Sequence, residues 1–205
     1  MPTSFGSKLS DSFAKYGQLC VGIDPHAALL SDWGLNDDVQ GLESFANSVL
    51  DSAVGRVGII KPQVSFFERH GSKGFSVLEK LAERAAQTDL LVIMDAKRGD
   101  IGTTMDAYFD AWLGQNAPFA ADALTVSPYL GFGSLKDTLS GALERGKGVF
   151  VLAATSNPEG TSVQRATYGD KTLAKSIWDS LGEINSVTAS GNAKLGSLGA
   201  CWVRR

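Results

Sequence analysis

The chain has 205 residues, 43% of them apolar and 20% charged, with a net charge of −3. That length supports one domain with a sizeable core, and the weakly acidic balance excludes both a basic footprint for nucleic acid and a polybasic patch for a membrane surface. No apolar run is long enough to span a bilayer, the first residues lack the apolar stretch of a signal peptide, and Cys20 and Cys201 give neither a disulfide framework nor metal-ligand spacing, so a reducing cytoplasm is the expected setting.

Taken in chain order, Ser4 to Tyr16 places Phe5, Leu9, Phe13 and Tyr16 on one helical face. A short apolar run, Leu19 to Ile23, stops at Asp24-Pro25. Asp38 to Val54 is helical in period, and Val57 to Pro62 is a second apolar run that carries Lys61 at its end. Ser72 to Gln87 predicts a helix with Phe75, Leu78, Leu81, Ala82 and Ala85 as its stripe. Leu90 to Lys97 predicts a third strand, followed by a helix from Thr103 to Leu113 with Thr103 or Thr104 as its cap. A fourth strand falls at Ala123 to Pro128, a helix at Ser134 to Arg145 closed by Gly146, a fifth strand at Gly148 to Thr155, and a last helix at Leu173 to Val187.

The order is βαβαβαβα with short, continuously apolar strands, the pattern of a parallel sheet covered by helices. A doubly wound sheet and a (β/α)8 barrel both fit it. Asp24, Lys61, Asp95 with Lys97, Ser127 and Ser156 fall at the carboxyl ends of five successive strands. Both architectures place the active site at that edge, and the spread over five strands favours the barrel. No repeat or linker divides the chain, so residues 1–205 are expected to form a single barrel domain.

The third strand ends in Met94-Asp95-Ala96-Lys97-Arg98-Gly99-Asp100. Alternate strand residues share a face, so Asp95 and Lys97 are expected to point the same way, with Asp100 just beyond and Lys61 within reach from the neighbouring strand. A solvated run of loop charges is the bland alternative, but it does not explain charge at the same end of three strands. Alternating ammonium and carboxylate groups hold each other ionised. An ammonium held between carboxylates is a positioned proton donor for a reaction that builds negative charge on carbon and ends by protonating it. Schiff-base chemistry at Lys61 or Lys97 fits less well, since flanking carboxylates raise an amine's pKa. Gly141 to Gly148 nearly matches a phosphate-binding loop, but Gly148 stands where Ser or Thr is required and the run follows a helix. His26 and His70 show no metal-ligand spacing.

The stretch Asp95-Ala-Lys97-Arg98-Gly-Asp100-Ile101-Gly-Thr-Thr104 resembles the D-x-K-R-x-D-I-x-x-T signature of the orotidine 5′-phosphate decarboxylase family. Gly22-Ile23-Asp24-Pro25, Ile60-Lys61-Pro62-Gln63, Ser127-Pro128-Tyr129 and Thr155-Ser156-Asn157-Pro158 fall where that family has its strand ends, and the likeness runs from about Ser4 to Ala200. The resemblance implies a (β/α)8 barrel that converts orotidine 5′-monophosphate to UMP and carbon dioxide in pyrimidine biosynthesis, with no metal or organic cofactor. It implies a homodimer with shared active sites. By carry-over, Lys97 protonates C6 of the pyrimidine, Asp95 sits near the departing carboxylate and Lys61 completes the network and contacts ribose. Asp100, Ile101 and Thr104 would reach the other subunit's site, Asp24 would bind a ribose hydroxyl, and Ser156 would bind the ring.

The family continues with a sixth strand reading roughly V-V-G-A-T, a P-G-x-G-x-Q loop and an arginine that grips phosphate, none of which is expected in this chain. Only about the first five to six β/α units are expected. The ending Cys201-Trp202-Val203-Arg204-Arg205, back-translated and read from the third base, can encode Leu-Gly-Ala-Thr. A shift of reading frame near Ala200 is therefore expected, and an uninterrupted DNA sequence with no phosphate-loop codons downstream would overturn it. An open five-strand sheet would leave strand edges uncovered, and a missing phosphate grip would remove remote binding energy. The chain is accordingly expected to be a weak or inactive catalyst and prone to aggregate. An inactive remnant of the enzyme and a magnesium-dependent phosphate-sugar aldolase of the same suprafamily are the alternatives, and Arg98-Gly99-Asp100-Ile101 argues against the second.

Overall fold

The computed structural model describes residues 2–188 and 195–203. Two compact units emerge, one of Asp11–Ala96 with Asp110–Ala123, the other of Met1–Ser10, Lys97–Phe109 and Leu124–Arg205.

The first unit holds strands β1 (Cys20–Ile23), β2 (Ile59–Pro62) and most of β3 (Leu91–Arg98). They run parallel, with Cys20 opposite Ile59, Ile23 opposite Pro62, and Ile60 opposite Val92. Parallel neighbours need long crossovers, and α3 (Val39–Ala53) and α5 (Gly71–Ala85) provide them. α3 starts where it does because Asp38 Oδ1 accepts the Gly41 N–H at 2.8 Å. Leu42, Phe45, Ala46 and Leu50 on α3, and Val77, Leu78, Leu81 and Ala82 on α5, form the buried faces. β3 is buried from Leu91 through Asp95 without alternation, as expected of a strand covered on both sides. Two further helices, α2 (Ala27–Asp32) and α4 (Val64–Glu68), follow β1 and β2 directly. α2 is capped by His26, whose Nδ1 accepts from the Leu29 N–H at 3.2 Å. The first helix, α1 (Phe5–Tyr16), begins in the second unit and ends in this one.

β3 continues into the second unit, and β4 (Ala123–Val126) pairs along it. Asp122 N–H donates to Val92 O at 2.9 Å, and Ser127 N–H donates to Arg98 O at 2.7 Å. The second unit also holds α6 (Gly102–Leu113, which ends in the first unit), α7 (Lys136–Glu144), β5 (Gly148–Ala154), α8 (Thr161–Gln164), a short hairpin of β6 (Thr167–Tyr168) and β7 (Lys171–Thr172), α9 (Leu173–Thr188) and β8 (Leu198–Trp202). Phe5 is 1% exposed and meets Phe150 edge-on at 6.0 Å. The strand order is β1-β2-β3-β4-β5-β8.

Two expectations need correction. Leu198–Trp202 forms a sixth parallel strand, paired with β5 from Val149 opposite Leu198 to Ala154 opposite Trp202. Six strands fall within the expected five to six β/α units, and only the five-strand open sheet is overturned. Asn185 on α9 anchors β8, donating from Nδ2 to Leu198 O at 2.8 Å and accepting the Leu198 N–H at 3.2 Å. Gly199 lets the strand come close, since a Cβ there would lie 2.6 Å from the Phe150 ring. Arg204 and Arg205, part of the terminal reading-frame argument, lie outside the described residues. The second correction concerns α6, which starts at Gly102 and so takes Thr103 and Thr104 into its body rather than using either as a cap. β1 and β8 are the terminal strands of the order, each with a hydrogen-bonded neighbour on one side among the described residues.

Candidate active site

The first unit brings three of the sequence-singled residues together at the carboxyl ends of its strands. Asp95 is 7% exposed near the end of β3. Its Oδ2 accepts from Lys61 Nζ at 3.1 Å and from Gln63 Nε2 at 3.0 Å. Lys61 lies on β2, and Gln63 extends that strand as a parallel bridge partner of Asp95 while donating its own N–H to Ile23 O at 3.1 Å. Period two explains the pairing, because Lys61 and Gln63 leave one face of β2 toward the same neighbour. Gln63 was not assigned a role from the sequence. Its place two residues beyond Lys61 was the signal that could have found it.

Burial alone would pull the Lys61 pKa down. The Asp95 charge, the hydrogen bond to it and the more distant Asp24 outweigh burial and raise the ammonium above its ordinary 10.5. Asp24 follows β1, and its Oδ1 is buried with no hydrogen-bond partner among the described residues. An unpaired buried carboxylate oxygen is costly, and this one is suited to accept from a hydroxyl donor.

The second unit places Lys97, Asp100, Ile101, Thr104, Ser127 and Ser156. Lys97 has φ 50, in the left-handed region that L residues rarely adopt. Its N–H donates to Thr125 Oγ1 at 3.0 Å, and Thr125 is 2% exposed on β4, so a buried hydroxyl fixes this irregularity near the end of β3. The period-two argument for the direction of Lys97 therefore lapses at this residue. Strain of this kind costs about 1–3 kcal/mol and collects at functional sites. Arg98 lays its guanidinium 5.5 Å from the Tyr108 ring. Asp100 Oδ1 accepts the Ile101 N–H at 2.8 Å, Ile101 is 61% exposed, and Thr104 is exposed on the first turn of α6. Ser156 is exposed in the loop after β5. Among the described residues no group of three or more His, Cys, Asp and Glu is placed to hold a metal ion. No helix among them is long and apolar enough to cross a membrane.

Parallel strands joined by helices, with ionisable groups at their carboxyl ends, together with the fold match below, make this a protein of the (β/α)-barrel class, with six strands of the barrel among the described residues. The sequence matches the model of the orotidine 5′-phosphate decarboxylase / HUMPS family over residues 17–195. The chain belongs to that family. It is 52% identical over 196 residues to an orotidine 5′-phosphate decarboxylase from Streptomyces coelicolor, covering 96% of this chain and 69% of the relative. It is 50% identical over 197 residues to one from Salinispora arenicola. A Streptomyces avermitilis structure assigned to the same enzyme superposes with a TM-score of 0.93 at 50% identity, over 98% of this chain and 70% of that one. Leishmania donovani OMP decarboxylase superposes at 0.77 with 28% identity, covering 97% and 70%.

Proposed function

We propose that the chain is an orotidine 5′-monophosphate decarboxylase, acting as a single barrel domain and forming UMP and carbon dioxide. The observation that carries this reading is the buried Asp95 carboxylate bonded to half-buried Lys61 and Gln63, followed two residues on by a lysine in a left-handed backbone conformation near the end of β3. In the reaction, the bond between C6 and the carboxylate breaks and its electron pair stays on C6. The Lys97 ammonium gives C6 a proton, and the lysine recovers one from water. Asp95, fixed by Lys61 and Gln63, stands near the departing carboxylate. An ammonium placed in advance stabilises charge as it develops. Lys61 also contacts ribose, Asp24 takes a ribose hydroxyl on its unpaired oxygen, and Ser156 meets the ring. Asp100, Ile101 and Thr104 serve the site of a second copy in a homodimer, a role supported by the exposure of Ile101 and Thr104. The reaction needs no metal or organic cofactor, and the setting is the cytoplasm.

The test follows loss of orotidine 5′-monophosphate absorbance with purified chain. Turnover is expected, slower than that of the longer relatives, and Lys97→Ala is expected to abolish it. A chain that neither turns the substrate over nor binds UMP would overturn the proposal. A second reading is an inactive copy that still binds nucleotide, since β1 and β8 each have a hydrogen-bonded neighbour on one side only among the described residues. UMP binding without turnover would select it.

A further inference from the structure

The loop after β5 carries a set of bonds that the mechanism above does not use. Thr155 is the first residue past the strand, and its N–H donates to Gln164 Oε1 at 3.0 Å. Gln164 Nε2 donates back to Thr155 Oγ1 at 2.7 Å. The Thr155 hydroxyl in turn donates to Asn157 Oδ1 at 2.6 Å, and Asn157 Nδ2 donates to Glu159 Oε2 at 3.1 Å. One amide side chain thus grips both the backbone and the side chain of the same residue, and that residue holds the next turn. Gly160 completes the arrangement. A Cβ there would lie 2.9 Å from both Gln164 Nε2 and Thr155 Oγ1, so a larger residue would push the two apart. Ser156, between Thr155 and Asn157, is exposed and takes no part in these bonds. A cavity of about 310 Å³ opens beside the loop, bordered by Thr155, Gln164, Arg165 and Trp202.

We propose that Gln164 is a positioning residue, and that with Gly160 it locks the loop after β5 so that Ser156 is presented to the pyrimidine ring of the substrate. The inference rests on the decarboxylase reading, since it needs Ser156 at the ring. The lock is built from one helix end and one strand end. α8 exists to bring Gln164 back onto Thr155, which gives a purpose to a helix of four residues that buries no side chain. A residue that orders a binding loop acts on ground state and transition state alike, and its loss raises KM while leaving kcat in place.

The experiment compares KM and kcat for orotidine 5′-monophosphate in Gln164→Ala, Gly160→Ala, Ser156→Ala and the Gln164→Ala/Ser156→Ala double variant. Each single change is expected to raise KM by about tenfold with little change in kcat, the size of one or two lost hydrogen bonds. The double variant is expected to be no worse than Ser156→Ala alone, because both act through one contact. Gln164→Glu keeps an acceptor for the Thr155 N–H and is expected to recover part of the loss. If the wild-type chain binds UMP without turnover, Kd for UMP is read across the same series. Should Gln164→Ala fail to fold, Gly160→Ala strains the lock from the other side, Gln164→Glu removes only its donor, and the two decide the matter. A lowered melting temperature with unchanged KM or Kd, or additive losses in the double variant, would overturn the inference and leave the decarboxylase reading standing. A wild-type chain with neither turnover nor UMP binding would overturn both.

Discussion

The ends of β2 and β3 and the loop after β5 both carry polar side chains, yet they hold them by opposite means. At β3, Asp95 is bonded to groups 34 and 32 residues away in sequence, and it is nearly buried. In the loop after β5, Thr155 is bonded to groups 9 and 2 residues away, and the side chains lie near solvent. The first arrangement exists only when two strands are in register. The second needs no more than a short helix folded back on a turn. The contrast suits the proposed roles of the two regions: fixed charges held from water at a reaction centre, and a locally ordered rim for a recognition loop.

The largest test removes the shared carboxylate. Asp95→Ala leaves Lys61 partly buried without its main counter-charge, and the expected loss is about 3–5 kcal/mol in urea unfolding. Asn157→Ala, in the local network, is expected to cost about 1 kcal/mol or less by the same measurement. Equal losses would break the comparison. A second test separates local order from strand pairing. Gly199→Ala sets a methyl 2.6 Å from the Phe150 ring and is expected to destabilise by about 1–3 kcal/mol. Amide exchange at Thr155 should stay slow in that variant, because its Gln164 partner lies on α8 and not on β8. The smallest effect is one of pH. Folding raises the Lys61 pKa above 10.5, so the folded chain binds that proton more tightly than the unfolded one. Its contribution is full below 10.5 and fades as pH rises through the higher folded value. The stability gap between wild type and Lys61→Met should therefore be flat through neutral pH and close only in strong alkali. A gap that closes instead between pH 5 and 8 would assign the stabilisation to another group.

Much of this was legible in the chain itself. Continuous apolar runs ending in Asp24, Lys61 and Asp95 showed parallel strands with charge at one end, and β1, β2 and β3 follow those runs. The stripes of α3 and α5 were plain because each helix is 15 residues long and repeats its period several times. α2 and α4, at 6 and 5 residues, are too short to show a period. β8 was missed because Leu-Gly-Ala-Cys-Trp is poor in β-branched residues and becomes a strand only beside Phe150 and Asn185. The cluster at Asp95 was half visible. Lys61 announced itself by charge, while Gln63, neutral and next to a proline, did not. The left-handed backbone of Lys97 was hidden for a different reason, since it is held within β3 by a threonine 28 residues away.

The seat of Phe5 has a consequence in time. The first turns of α1 are held by Phe150 and by the Ser197 hydroxyl, which accepts the Gly6 N–H at 3.1 Å across 191 residues of sequence. A ribosome adding about 5–20 residues per second takes roughly 10–40 s to span that interval. Until Phe150 is made, the Phe5 ring lacks its edge-on partner, and until Ser197 is made the Gly6 N–H lacks its acceptor. The second unit is thus closed by contacts between residues made far apart in time.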